Sequence, residues 1–229
     1  MTLRLRSNKD QYELVDELRQ NYHNRLKSEN VIQALLAVDR ADFCATDSYK
    51  DAPQDIGFNA TISAPHMHAS ALEFLADKLI PGARVLDIGS GSGYLTACFA
   101  KMVEPNGRVV GVEHIPDLVN ISLLSIEKHH QGLLDSGVLK IIRSDGRLGY
   151  GPDAPYDIIH VGAAVKKDVP KELLDQLAIG GRMLIPVGGK RVQEFVCYDK
   201  IGPNKIKKKK MVTVSFVPLT SQEEQLSLT

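Results

Sequence analysis

The sequence lacks three features that would assign it to a specialised class of protein. It has no net charge, since 28 basic residues balance 28 acidic ones, whereas nucleic-acid binders usually carry a basic excess. It has no apolar run near the roughly 20 residues that span a bilayer. Its first ten residues alternate leucine with arginine and lack the apolar block of a secretory signal. We therefore expect an intracellular protein that binds neither nucleic acid nor membranes.

The sequence is also poor in cysteine. Cys44, Cys98 and Cys197 are odd in number and far apart, and none belongs to a Cys-x-x-Cys pair, so neither a disulfide framework nor a zinc site is indicated. We interpret them as small buried residues. His66 and His68 stand two positions apart, on different faces of a predicted helix, and no third ligand accompanies them. The sequence therefore predicts no metal site.

What is present is the composition of a globular protein. The 229 residues are 43% hydrophobic and 24% charged, which fits one domain with a sizeable core. We predict a single domain over residues 1–229. In it, residues 1–82 form helices and a connecting segment, and residues 83–229 form an α/β core that ends in additional strands.

The first eighty residues predict helices. Two apolar series recur at helical spacing: Leu14, Leu18, Tyr22 and Leu26, then Val31, Leu35 and Val38. Ser28 is placed to cap the second of these helices. The polar residues 47–59 predict a loop, and Pro65 then opens a third helix whose apolar positions run to Leu79.

From residue 83 onward, short apolar runs alternate with helical patterns, as in a parallel sheet covered by helices. The predicted strands are Arg84–Ile88, Arg108–Glu113, Leu139–Arg143, Tyr156–Val161 and 182–186. The predicted helices are Tyr94–Val103, 116–130 and 170–177, the last closed by Gly180 and Gly181. Two strand-like runs, 193–199 and 211–217, flank a lysine-rich connection of the hairpin type. We predict an α/β fold with a mostly parallel sheet and an antiparallel pair at its C-terminal edge.

A glycine-rich loop, residues 86–94, lies between the first of these strands and its helix. Glycines there let backbone amides approach a ligand. Glu113 ends the next strand, 24 residues after Gly89, where nucleoside binders of this topology keep an acid for the ribose hydroxyls. Tyr94 stands where a dinucleotide fingerprint needs glycine, and no Walker lysine follows the loop. These residues fit S-adenosylmethionine (SAM); the alternative is a glycine-rich turn with an incidental acid.

Two further positions have both a functional and a structural interpretation. Asp145 and Gly146 follow the third strand, where the carboxylate can accept the amine of adenine and the amide can donate to a ring nitrogen. A simple turn explains them equally well. Ser63 precedes Ala64 and Pro65, and by spacing alone it caps the following helix.

Several segments together point to one family. They are residues 57–69, 86–93, 95–100, 146–147, 155–157, 160–164, 182–188 and 217–220. The glycine loop is common to many methyltransferases, whereas the block from Ala60 to His68 is far more specific. Over residues 30–220 the sequence resembles the protein-L-isoaspartate (D-aspartate) O-methyltransferases of the eukaryotic type.

The resemblance implies a SAM-dependent enzyme that methylates the α-carboxylate of L-isoaspartyl and D-aspartyl residues in damaged proteins and leaves S-adenosylhomocysteine (SAH). The methyl ester then loses methanol to give a succinimide, which partly reopens to aspartate. The fold implied is the Rossmann-like methyltransferase sheet with additional N-terminal helices, in a protein that is often monomeric and cytosolic. In these terms residues 1–82 contain the active-site segment, and residues 83–229 form the SAM-binding core.

The resemblance also assigns a site. It makes Ser63 the active-site residue and places Ala60, Thr61, Ile62, His68, Gly89, Glu113, Asp145, Gly146 and Thr220 around the cofactor. Asp87, Ser90 and Gly91 of the glycine loop, Ser63 itself, and His114 beside Glu113 complete the predicted cofactor site. Residues 165–168 depart from the small, apolar, proline-containing segment of relatives, which puts peptide preference in doubt.

The expected chemistry suits a neutral active-site residue. An isoaspartyl carboxylate is ionised at neutral pH and needs no general base, and its charge is lost as it meets a sulfonium methyl group. The Ser63 hydroxyl can hold it without over-stabilising the ground state, and the segment from Thr61 to Ser63 can close over donor and acceptor.

Two rival functions remain: SAM-dependent methylation of RNA or a small metabolite, and non-catalytic binding of SAM or isoaspartyl peptide. Against the first, the sequence has no Asn-Pro-Pro-Tyr or Asp-Pro-Pro-Tyr string and no basic signature beyond Lys205 and 207–210. We interpret that run as protection of a sheet edge, the alternative being attraction of acidic peptides or nucleic acid.

Overall fold

The N-terminal helices pack as their apolar spacing predicts. The computed structural model describes residues 9–21, 26–189 and 191–227. Helix α1 spans Gln11–Asn21 and helix α2 spans Glu29–Ala37. Leu14, Leu18 and Leu26 are buried, while Tyr22 lies outside the described residues. Ser28 occupies the N-cap position of α2 as predicted, but its side chain makes no capping bond. Its hydroxyl donates instead to Glu73 Oε2 at 2.8 Å.

The segment between α2 and the main sheet is largely irregular. After one 3₁₀ turn, Arg40–Asp42, the chain forms two short antiparallel strands, β1 (Gln54–Asp55) and β2 (Thr61–Ile62). The predicted loop at 47–59 is therefore correct except for β1. Helix α3 spans Pro65–Leu75 and ends four residues before Leu79, which is buried all the same.

The rest of the chain forms the α/β core and a final short helix. Its elements are β3 (Arg84–Ile88), α4 (Tyr94–Val103), β4 (Arg108–Glu113), α5 (Pro116–Asp135), β5 (Leu139–Arg143), β6 (Tyr156–Val161), α6 (Lys171–Gln176), β7 (Leu177–Gly188), β8 (Gln193–Gly202), β9 (Lys205–Val214) and α7 (Gln222–Leu226). Seven strands form one sheet in the order β5-β4-β3-β6-β7-β8-β9. The first four pairings are parallel, and β8 is antiparallel to both of its neighbours. The predicted parallel sheet with an antiparallel C-terminal edge is confirmed.

Several boundaries differ from the predictions, including the last two strand-like runs, 193–199 and 211–217 in the sequence but Gln193–Gly202 and Lys205–Val214 in the structure. Strand β7 begins at Leu177 and includes Gly180 and Gly181, so these glycines do not close α6. Helix α5 continues to Asp135, past a kink at His130, where φ is −132°. The lysine run lies within β9 and not in a connection, because the chain reverses between Gly202 and Lys205. β9 is the outermost strand, so its lysines still lie at a sheet edge.

The core lies on both faces of the sheet. Alternate residues of β3 point to opposite faces: Val85 belongs to the apolar cluster that includes residues of α1–α5, and Leu86 belongs to the one that includes Leu173 of α6. This two-sided burial explains why apolar residues predominate in the central strands, with the buried Asp87 and His160 as polar exceptions. Cys44, Cys98 and Cys197 are free and buried, as predicted, and burial raises the pKa of the Cys98 thiol to about 12.

None of the helices within residues 9–21, 26–189 and 191–227 has the length and apolar character needed to cross a bilayer.

Candidate active site

Two adjoining cavities lie where the strand order reverses, at the carboxyl ends of β3 and β6, which is the usual ligand position in such sheets. One, the Ser63 cavity, comprises about 480 Å³ including its opening to solvent, and the other, the Glu113 cavity, about 570 Å³ measured in the same way. Four residues line both: Thr61, Gly89, Gly91 and Gly162. The two cavities therefore share a wall made of the glycine loop, β2 and the residue after β6.

The glycine loop needs its glycines for two reasons. Gly89 and Gly91 have φ values of +71° and +51°, in the left-handed region that other residues rarely adopt. Across the shared wall, a Cβ on Gly162 would lie 3.0 Å from the carbonyl oxygen of Gly89. The backbone of the glycine loop and the backbone just after β6 thus leave no room for a side chain between them. Their peptide groups are therefore exposed at the cavities.

The Glu113 cavity has one buried carboxylate at its wall. Glu113 is 6% exposed, and its two oxygens accept hydrogen bonds from the backbone N–H groups of Gly91 (3.1 Å) and Ile115 (3.0 Å). The predicted ribose acid therefore also fixes the glycine loop. Of the other predicted cofactor residues, the same cavity is lined by Ala60, Thr61, Gly89, Gly91, His114, Gly146 and Thr220.

Asp145 is the one predicted cofactor residue that is not among those lining the two cavities in the described part of the chain. Its carboxylate accepts hydrogen bonds from Arg147 N (2.9 Å), Nε (3.0 Å) and Nη2 (2.7 Å), and this bonding lowers the pKa of Asp145. Its side chain thus does what a turn residue does. Gly146 faces the cavity, and packing requires a glycine there because a Cβ would lie 2.5 Å from Ile88 Cγ2. The adenine contacts of both residues stay predictions.

The Ser63 cavity contains the predicted active-site residue. Helix α3 begins at Pro65, and the N–H groups of Met67 and His68 bond to the carbonyl of Ala64. Ala64 is the N-cap residue, so the interpretation of Ser63 as the helix cap is wrong. Within the described chain, the Ser63 hydroxyl has no hydrogen-bond partner, and the residue lines the cavity.

Two more polar side chains bear on what this cavity can hold. Ser90 Oγ is buried and has no hydrogen-bond partner in the described part of the chain, a costly state that a polar ligand would relieve. Asp87, in contrast, is fully engaged: its carboxylate accepts hydrogen bonds from His160 Nδ1 (2.8 Å) and Thr96 Oγ1 (2.6 Å). Asp87 thus orients His160, which also lines the cavity together with Ile62 and His68.

Several lining residues were not singled out by the sequence. His160 is the register partner of Asp87 across β3 and β6, a pairing that only the strand order reveals. The rings of Phe195 in β8 and Phe216 pack at a tilt of 51°, with centroids 5.1 Å apart, and form an apolar wall of the Ser63 cavity. Phe195 lies in a predicted strand, whereas the strand predicted over 211–217 ends at Val214 and leaves Phe216 outside it. The approach of both rings to the glycine loop depends on the order of the last strands.

A C-terminal segment, residues 217–227, covers the Glu113 cavity. The Gln225 side chain donates to the carbonyl of Phe58 at 2.9 Å and accepts from His114 Nε2 at 2.8 Å. Asn59 Nδ2 donates to the Gln225 carbonyl at 3.0 Å. Thr220 bonds to Glu224 and lines the cavity. The cavity is thus closed by residues more than 160 positions apart in the chain.

Comparisons with known proteins agree on one family. A model of the protein-L-isoaspartate(D-aspartate) O-methyltransferase family matches residues 8–224. The protein-L-isoaspartate O-methyltransferase of Caenorhabditis elegans is 54% identical over 216 residues, covering 93% of each chain. The wheat enzyme of that name is 48% identical, covering 93% of this chain and 92% of its own. A Plasmodium falciparum protein described as such an enzyme, crystallised with S-adenosyl-L-homocysteine, superposes with a TM-score of 0.85 at 35% identity, covering 93% of this chain and 99% of its own.

Proposed function

The chain belongs to the protein-L-isoaspartate(D-aspartate) O-methyltransferase family, and on that premise we propose that it transfers a methyl group from SAM to the free α-carboxylate of L-isoaspartyl and D-aspartyl residues in damaged proteins and peptides. The observation that carries the proposal is the wall shared by the two cavities. A nucleoside held beside Glu113 and a carboxylate held beside Ser63 would meet at Thr61 and the glycine loop. This is the arrangement that transfer between two bound molecules requires.

The residues of the Glu113 cavity fit SAM. The Glu113 carboxylate has acceptor capacity beyond its two backbone bonds and can bind ribose hydroxyls. The glycine loop offers close backbone approach at the wall shared with the Ser63 cavity, where the unpaired Ser90 Oγ offers a hydroxyl. Bound SAM supplies an electrophilic methyl group, and the SAH held by the Plasmodium relative is the product of such a transfer.

The residues of the Ser63 cavity orient the acceptor and do not activate it. An isoaspartyl carboxylate has a pKa of about 4 and is ionised at neutral pH, so no proton need be removed. Burial lowers the pKa of His68 well below its usual value, so this residue faces the cavity as a neutral imidazole. A neutral wall is favourable because the nucleophile loses its charge during transfer, and a direct cationic contact would stabilise the ground state more than the transition state.

The apolar part of the cavity contributes by excluding water. Phe195 and Phe216 form an apolar wall of the Ser63 cavity. Phe195 is buried in the core, and Phe216 is half-buried against it. Orientation of two reactants in such a site can lower the barrier by about 7–11 kcal/mol. We assign most of the rate enhancement to this effect and a smaller part to the Ser63 hydroxyl.

One assay tests the proposal. The protein is incubated with methyl-labelled SAM and two peptides that differ only in an aspartyl or isoaspartyl linkage. Base-labile label on the isoaspartyl peptide alone is the expected result. Label on RNA or on small amines would instead identify a methyltransferase with another acceptor, and SAH binding without any transfer would identify a non-catalytic binding protein.

Properties beyond the reaction stay predictions. These are a single domain over residues 1–229, a monomeric state, location in the cytosol, and the absence of nucleic-acid and membrane binding. Of these properties, the oligomeric state bears most directly on kinetics. Light scattering of the purified protein at several concentrations measures the number of chains per particle.

A further inference from the structure

Arg40 is a buried cation without a carboxylate partner. It lies in the 3₁₀ turn after α2 and is 0% exposed, and within the described chain no acidic side chain forms a salt bridge with it. Its Nε is buried without a partner, and its backbone N–H donates to Gln11 Oε1 at 3.2 Å. Burying a guanidinium without an acid is costly, so a role other than stability should account for it.

The guanidinium instead contacts the two polar residues at the start of α3 that line the Ser63 cavity. Arg40 Nη2 donates to the carbonyl oxygen of Ser63 at 2.8 Å, and Nη1 lies 3.2 Å from His68 Nδ1. The ring of Tyr94 packs against both partners, 5.5 Å from the guanidinium carbon and 5.0 Å from the imidazole centre. Arg40 thus joins the backbone of Ser63 to the side chain of His68.

This contact decides the protonation of His68. A guanidinium can only donate, so His68 Nδ1 must accept and cannot carry a proton. A protonated imidazole would place an N–H group against Nη1, and both burial and the positive charge of Arg40 lower the pKa of His68. The neutral ring therefore carries its proton on Nε2. His68 Nε2 has no hydrogen-bond partner in the described chain. It is also not among the fully buried side-chain atoms that lack a partner there, so it is not fully buried.

We propose that Arg40 is a positioning residue that holds the Ser63 backbone and fixes His68 as the Nε2–H tautomer, so that His68 donates a hydrogen bond to a carboxylate in the Ser63 cavity. The inference rests on the proposed function, which brings two carboxylates to this region: that of the methionine part of SAM and that of the isoaspartyl residue. In both cases the carboxylate contacts the neutral Nε2–H group of His68. The imidazole ring separates the carboxylate from the positive charge of Arg40. Arg40 thereby attracts the anion without the direct clamp that would favour the ground state.

The first test is nitrogen NMR of the full-length wild-type protein labelled with ¹⁵N-histidine. The chain has seven histidines, and a His68→Gln variant identifies the signal of His68. We expect a neutral Nε2–H imidazole between about pH 6 and pH 8, where an ordinary histidine titrates. A neutral Nδ1–H ring, or an imidazolium in this range, would overturn the proposal whatever the activity.

The second test compares Arg40→Met with Arg40→Lys. Loss of a hydrogen bond to a charged group corresponds to about a ten- to hundredfold loss of affinity. If His68 binds the cofactor carboxylate, Arg40→Met should raise the Kd for SAH by this factor. If it binds the substrate, the KM for an isoaspartyl peptide should rise instead. Arg40→Lys keeps a charged donor and should restore part of the loss.

The matched control is Arg182→Met. Arg182 binds Asp77 and Asp199 and lines neither cavity, so its loss should lower stability and leave the SAH Kd and the peptide KM unchanged. A folded Arg40→Met protein with both constants unchanged would overturn the proposal. If that variant does not fold, the wild-type tautomer still decides. A wild-type protein that binds SAH and shows the expected tautomer but methylates no isoaspartyl peptide would refute the proposed function alone.

Discussion

Replacing Glu113 tests whether the ribose is held where the cavity suggests. The carboxylate has two tasks, fixing the glycine loop through Gly91 and Ile115 and offering acceptors to the ligand. Glu113→Ala leaves both backbone N–H groups without their acceptor, which should destabilise the fold by about 1–3 kcal/mol for each group that stays unsatisfied. Removing charged acceptors from a sugar hydroxyl should cost a further 1.5–3 kcal/mol or so in binding, about ten- to hundredfold in the SAH Kd.

Calorimetric titration with SAH and urea unfolding separate the two tasks. Glu113→Gln retains one carbonyl acceptor and the volume of the side chain, so it should recover part of the stability while binding SAH more weakly than the wild type. Glu104→Gln is the control, because Glu104 forms only a partly exposed ion pair with Lys101 (2.7 Å) and lines neither cavity. A folded Glu113→Ala protein that binds SAH within about twofold of the wild type would refute the ribose assignment, since a lost charged hydrogen bond costs more than that.

The remaining predictions concern the other walls of the cavities. Ser63→Ala should lose most of its turnover in the methyl-transfer assay, with little change in SAH affinity and in the free energy of unfolding, because the hydroxyl caps no helix. Asp87→Asn should lower stability by about 1.5–3 kcal/mol, because His160 Nδ1 and Thr96 Oγ1 both donate to the carboxylate and a buried hydrogen bond to a charged group is lost; urea unfolding measures this. Gly162→Ala should weaken SAH binding and lower the melting temperature because of the contact with Gly89, whereas Gly151→Ala, which meets nothing within 4 Å, should change neither.

Each of these has a contradicting result. Wild-type turnover in Ser63→Ala would remove the hydroxyl from the mechanism. A change in stability below 1 kcal/mol or so in Asp87→Asn would mean that the charge of the carboxylate adds little to its hydrogen bonds with His160 and Thr96. Equal behaviour of the two glycine variants would show that the close approach at the shared wall does not limit the site.

The central sheet was predictable because local pattern and tertiary environment agree there. Strands β3, β4, β5 and β6 and helix α4 have the predicted bounds. β3, β4 and β6 are buried on both faces, the edge strand β5 is buried mainly on one, and each strand ends at a glycine or a polar turn. The lysine-rich strand β9 was missed for the opposite reason. Lysine has little preference for strands, and the pairing with β8 that orders Lys207 and its neighbours depends on contacts far along the chain.

The candidate site divides in the same way. Residues next to the glycine loop or at a strand end, such as Gly89 and Glu113, follow from local pattern. Arg40 and His160 do not, because their roles arise from partners 28 and 73 residues away, His68 and Asp87. Ser63 shows the limit of spacing alone: its position before Pro65 suggested a cap, yet the backbone places Ala64 there.

The ligand site depends on a C-terminal segment that the sheet does not need. Among the described residues every strand is complete at Val214, whereas the Glu113 cavity gains its last wall only from residues 217–225. Loss of residues 217–225 would therefore leave each strand of the described sheet its pairing partners while removing one wall of the ligand site. Such a shortened chain should unfold cooperatively in urea yet bind a nucleoside only weakly.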